Sequence, residues 1–142
     1  MTIVVDDHIL FDVLAGRATD TLQTELDRGG LFTTGCWYYR LARAVGAGAG
    51  TGQLSGLLGT LNEEEATRFR TAIDTLPAEV GLLSLRFVVP VMQALRVRRP
   101  LNMLNAEALA AAVLLDASLL VSVDSALLRS GAADLAVDFR IA

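Results

Sequence analysis

Residues 101–124 read LNMLNAEALAAAVLLDASLLVSVD, and this stretch decides the fold. From Met103 to Asp116 it is dominated by Ala and Leu, both strong helix formers, which predicts a helix there. Apolar residues cover every side of that helix, so it is expected to be buried. Leu119 to Val123 is a short apolar, partly β-branched run and reads as a buried strand. Glu107 is the only charge between Pro100 and Leu115, and helical spacing sets it on one stripe with Leu104, Ala111 and Leu114. A lone carboxylate on a buried helix is costly unless a cation, a metal or hydrogen bonds compensate it. Asp124 stands just past the expected strand, where open α/β sheets place their ligand sites.

Outward from this stretch, helices and strands alternate. Thr2 to Val5 reads as a first buried strand, ended by Asp6-Asp7-His8. A helix follows over Ile9 to Leu14, with Asp6 or Asp7 as cap and Gly16 beyond its end. Asp20 to Asp27 forms a second helix, Leu31 to Thr34 a second strand, and Thr34 caps a helix from Cys36 to Val45. Gly46 to Gly52 is a connecting loop whose glycines fit no phosphate-binding register. A short helix is expected over Leu54 to Leu61, and Asn62 caps a stronger one running to about Leu76. Val80 to Leu83 reads as a third strand, and Ser84 caps a helix from Leu85 to Arg96 that contains Pro90. After Asp124 come a short helix near Ala126 to Arg129, a turn at Ser130-Gly131, and a last strand near Leu135 to Phe139. The alternation predicts one α/β domain, residues 1–142, with a mainly parallel sheet in which the first strand and Leu119–Val123 are neighbours.

Composition narrows the function classes. With 53% hydrophobic residues in 142, the chain can bury a sizeable core and is not a disordered tail. A net charge of −4 argues against strong non-specific nucleic-acid binding but leaves room for a local basic groove. All twelve basic residues are Arg, and Arg98 and Arg99 extend a small cluster begun by Arg96, suited either to a solvated helix end or to phosphate contacts. Cys36 is the single cysteine, so no internal disulfide forms. The opening residues carry no basic segment followed by an apolar one, and no apolar run is long enough to span a bilayer. The expectation is a soluble cytoplasmic protein without a membrane partner.

Asp6, Glu107 and Asp124 are the acids at comparable places, two at strand ends and one in the buried helix. Hard divalent cations are bound by such carboxylates, but each acid has a plainer alternative: Asp6 or Asp124 as the cap of the helix that follows it, and Glu107 as a first-turn residue of a helix that starts later than Met103. The segments VVDDHIL and EALAAAVLLDASLLVSVDSAL resemble the opening and later stretches of the PIN-domain family of metal-dependent ribonucleases, which includes many toxins of toxin–antitoxin pairs. That resemblance implies a PIN-like fold, Asp6, Glu107 and Asp124 as catalytic, metal-binding acids, Mg²⁺ or Mn²⁺ as cofactor, and RNA and an antitoxin-like protein as partners. Glu107 stands where the family more often has Asp. In one respect the sequence departs from the family: the helix after the second strand, TTGCWYYRLARAV, has no acid. Arg40 falls near the expected position, and a guanidinium cannot ligate a cation. Pointing inward, Arg40 would neutralise the acids in place of a metal; pointing outward, it joins Arg98 and Arg99 as an RNA contact. The missing acid leaves open a catalytically inactive module that binds RNA or protein. Trp37, Tyr38 and Tyr39 on the same helix suit core packing or a dimer face, and a homodimer is expected.

Overall fold

The computed structural model describes residues 1–46 and 56–142. Most of the expected loop at Gly46–Gly52 and the start of the expected helix at Leu54–Leu61 lie outside them. Five strands form one sheet: β1 Ile3–Val5, β2 Leu31–Thr33, β3 Gly81–Leu82, β4 Ser118–Val121 and β5 Phe139–Ile141. Their spatial order is β3-β2-β1-β4-β5, and every pairing is parallel. The architecture is α/β and consistent with a PIN-like arrangement. Among the described residues seven α-helices flank the sheet: α1 Asp7–Leu14, α2 Asp20–Asp27, α3 Gly35–Val45, α4 Glu63–Asp74, α5 Leu85–Arg98, α6 Met103–Leu115 and α7 Ala126–Asp134.

Strand alternation splits the core into two layers. Ile3 and Val5 pack with Leu10, Phe11, Leu41 and Phe69 on one face, while Val4 packs with Trp37, Val88, Leu109 and Leu119 on the other. Because both faces are covered, β1 is buried along its whole length. From β1 the chain steps outward to β2 and β3, then returns to the other side for β4 and β5. β1 and β4, paired with Val5 opposite Leu120, therefore form a topological switch point, and their carboxyl ends share one edge.

Local chemistry sets the element ends. Asn62 and Glu65 form a reciprocal capping box at the start of α4. Pro90 is the sixth residue of α5 and the helix continues through it to Arg98, beyond the expected Arg96. Residues 105–112 of α6 are buried, but its ends are not: Met103, Val113 and Leu114 are exposed, so the stripe of Glu107 ends before Leu114.

Three boundaries near the carboxyl terminus differ from expectation. Asp116 takes a left-handed conformation, φ 50°, which closes α6 and starts β4 at Ser118, so that strand ends at Val121. The turn expected at Ser130-Gly131 is instead helix, because Gly131 lets α7 approach α6: a Cβ there would lie 2.6 Å from Leu109 Cδ1. The last strand begins at Phe139, since Ala136 at φ 55° turns the chain inside the range expected to be extended.

Candidate functional site

β1 delivers Asp6 to the switch point, and its extended backbone makes it the N-cap of α1. Asp6 Oδ1 accepts from the backbone N–H of Ile9 at 3.0 Å. Its Oδ2 accepts from both the backbone N–H and the Oγ hydroxyl of Ser122, each at 2.7 Å. Ser122 is the first residue past β4, so this carboxylate joins the ends of the two central strands.

Asp7, the first residue of α1, is fully buried. Its Oδ2 accepts from Arg40 Nε on α3, and its Oδ1 lies 3.2 Å from His8 Nδ1. The Arg40 side chain is half exposed, and the hydrogen bond to Asp7, with Asp6 nearby, makes its guanidinium still harder to deprotonate.

Glu107 is buried in the second turn of α6 and reaches the N-terminus of α3, where Oε1 accepts from the backbone N–H of Cys36 at 2.7 Å. Gly35 permits that approach, since a Cβ there would lie 3.3 Å from Glu107 Oε2. Burial, then the Glu107 carboxylate beside it, pushes the Cys36 thiol up to about 11. The thiol is therefore protonated at neutral pH and is a weak nucleophile.

Each of the expected acids thus has its own hydrogen-bond partner. Asp124 is exposed on the turn before α7, and Arg129 Nε donates to its Oδ1 at 3.1 Å. The early end of β4 leaves Ser122, not Asp124, beside Asp6. Among the described residues, the acids and histidine that could share one ion are Asp6, Asp7 and His8, with ligand atoms within 4.8 Å of one another. Neither Glu107 nor Asp124 is in that group. Arg98 is exposed, whereas Arg99 binds Asp134 and donates to Ser130 Oγ on α7. Of the expected RNA-contacting arginines, Arg40 alone bonds to an acid of the switch point.

Sequence reasoning missed Asp7 and Ser122. The signal for Asp7 was a cation on α3 that required a buried acid opposite; the signal for Ser122 lay only in the strand boundary.

This donor set fits a divalent ion poorly. Asp6 has three donors, one of them at the N-terminus of α1, Asp7 has Arg40, and Glu107 has the N-terminus of α3. Among the described residues no buried side-chain nitrogen or oxygen lacks a hydrogen-bond partner. Comparison of the chain with protein-family models, with curated proteins and with solved structures gives no match.

Proposed function

We propose that this chain is a PIN-like module in which metal-dependent ribonuclease activity is reduced or lost, leaving a domain that binds RNA or a protein partner. The observation that carries this reading is Arg40 bonded to the fully buried Asp7. For Asp7 to join Asp6 around a cation, it would have to give up the guanidinium that balances its charge. Two positive groups competing for one buried carboxylate disfavour the metal-bound state. The same reading holds the protein to be cytoplasmic, with a cognate antitoxin-like protein or a second copy as partner. Among the described residues no helix is long and apolar enough to cross a membrane.

A second reading, an active Mg²⁺- or Mn²⁺-dependent ribonuclease, draws support from the proximity of Asp6, Asp7 and His8. Thermal unfolding with and without Mn²⁺, paired with an RNA cleavage assay, separates the two. Saturation at about a hundred times the dissociation constant would stabilise a binding protein by roughly 2.7 kcal/mol. The expected result is little shift and little cleavage in the unmodified protein. An added Mn²⁺-dependent stabilisation in Arg40→Glu would support the reading further. A full shift with cleavage in the unmodified protein, both lost in Asp6→Asn, would make it a nuclease.

A further inference from the structure

Arg98 and Arg99 border a cleft of about 230 Å³ where the end of α5, the linker to α6 and the end of α7 meet. Its apolar wall is Leu95, Leu101 and Leu109, all buried, with Leu135 partly buried beside them. A cavity of about 150 Å³ walled by such side chains holds a benzene molecule, so this cleft has room for a branched four-carbon side chain and the head group that carries it. None of Asp6, Asp7 and Glu107 lines it.

The remaining lining residues bring both signs of charge. Arg99 binds Asp134 and donates to Ser130 Oγ at 2.8 Å, which ties the end of α5 to α7. That pair is neutral as a unit, but it engages Oδ2 of an Asp134 side chain that is 59% exposed. Arg98 is exposed, and among the described residues it has no ion-pair partner. α5 and α7 also end here, and helix C-termini carry partial negative charge. A net anion would gain Arg98 but meet Asp134 and two helix ends. A net cation would gain Asp134 but meet two guanidinium groups. A small ligand with both charges satisfies both sides, its carboxylate on the planar fork of Arg98 and its ammonium beside Asp134. We infer that this cleft binds a free amino acid with a branched aliphatic side chain, the side chain packed against the leucines and the two charged groups fixing its orientation. A peptide segment fits less well, because each of its ends lacks one of the two charges. The inference is independent of the reading of the acidic site.

The test titrates the full chain with L-leucine, isocaproate, isoamylamine and glycine, following backbone amide shifts. Isocaproate lacks the ammonium, isoamylamine lacks the carboxylate, and glycine lacks the side chain. The expected result is binding of L-leucine at least about tenfold tighter than any of the other three, with shifts centred on Leu101, Leu109 and Gly131. Arg98→Glu should weaken L-leucine at least about tenfold and make isoamylamine the better ligand, with the melting temperature unchanged. No shift at about 10 mM L-leucine, or shifts that leave out Leu109 and Gly131, overturns the proposal. Isocaproate binding as tightly as L-leucine makes the cleft a site for apolar carboxylates and also overturns it, as does an unchanged L-leucine affinity in Arg98→Glu.

Discussion

At the carboxyl ends of β1 and β4, charge is buried and each buried acid has its own partner. On the outer face of α5, apolar side chains and arginines meet solvent without one. Asp6, Asp7 and Glu107 are almost wholly buried, compensated by Ser122, Arg40 and two helix N-termini. Phe87 and Val97 are mostly exposed on a helix that holds the fold through Val88 and Leu95. The first region is finished by the chain itself, so its polar groups contribute to stability. The second is left open, and its side chains are available for contacts outside the chain. Substitutions should therefore be expensive at the switch point and cheap at the exposed positions of α5.

The largest expected effect is at Arg40. Arg40→Ala leaves Asp7 buried without its cation, and the unfolding free energy should fall by about 3 kcal/mol, the lower end for a broken buried pair because the guanidinium itself is half exposed. Adding Asp7→Asn should recover part of that loss, because the uncompensated charge is gone. Urea unfolding of both variants checks this. A loss below about 0.5 kcal/mol, the range of an ordinary surface substitution, would mean that water compensates Asp7 and that the switch point is not closed by the chain.

A smaller effect is expected at Ser122. Ser122→Ala removes the hydroxyl donor to Asp6 but keeps the backbone N–H, so about 1.5 kcal/mol should be lost. If Mn²⁺ then stabilises the variant while leaving the unmodified protein unaffected, the hydroxyl is one of the groups that keeps a cation out.

Cys36 tests the same region by pH. Its thiol is raised from 9.0 to about 11, chiefly by burial and secondarily by Glu107. Because the unfolded chain ionises first, any stability from this group is intact below about 9 and declines as the pH rises toward 11. At pH 8 the native protein should react with iodoacetamide more slowly than the unfolded chain. Glu107→Gln should speed the native reaction by removing the adjacent negative charge. Equal rates in the native and unfolded protein would show that neither burial nor Glu107 governs the thiol.

Much of this contrast was legible in the sequence, for physical reasons that also mark where it stopped. The β-branched run before Asp6 could end only one way, and the strand, its cap and its neighbour β4 follow from it. Glu107 announced its burial by being alone in an apolar helix. The end of β4 falls two residues before the expected Val123 because residues 117–123 are apolar in more than one strand frame, and the left-handed Asp116 that selects the frame has no signature in hydrophobicity. The register of Arg40 was readable, but its partner was not. Which of two adjacent acids turns inward depends on where α1 begins, and the backbone makes Asp6 the cap and Asp7 the first buried residue. The aromatics of α3 suit core packing or a dimer face by sequence, and the structure divides them: Trp37 is in the core, Tyr38 donates to the Ile73 carbonyl, and Tyr39 is exposed. Exposed apolar side chains are spread over several elements, and four of them, Leu85, Phe87, Val89 and Val97, are on α5, whose sequence alone resembles a buried helix.

The smallest expected effect sharpens the comparison most, because it needs only neighbouring residues of α5. Val88 is 1% exposed and Phe87 is 62% exposed. Val88→Ala removes two buried methyl groups and should cost about 2 kcal/mol from lost transfer energy and the cavity left behind. Phe87→Ser removes a larger side chain, yet one that already meets water, and should change stability by less than about 0.5 kcal/mol. Propensity alone favours neither outcome, since Phe and Ser have similar helix preferences. Denaturant titration of the two variants at low micromolar concentration, with the slope of the transition compared as well as its midpoint, reads both numbers. If Phe87→Ser costs as much as Val88→Ala and the loss is independent of protein concentration, something within the chain covers this face. If the loss grows with protein concentration, a second copy covers it. A near-zero change at every concentration means that Phe87 meets water in the isolated chain, neither covered by the rest of the chain nor by a second copy.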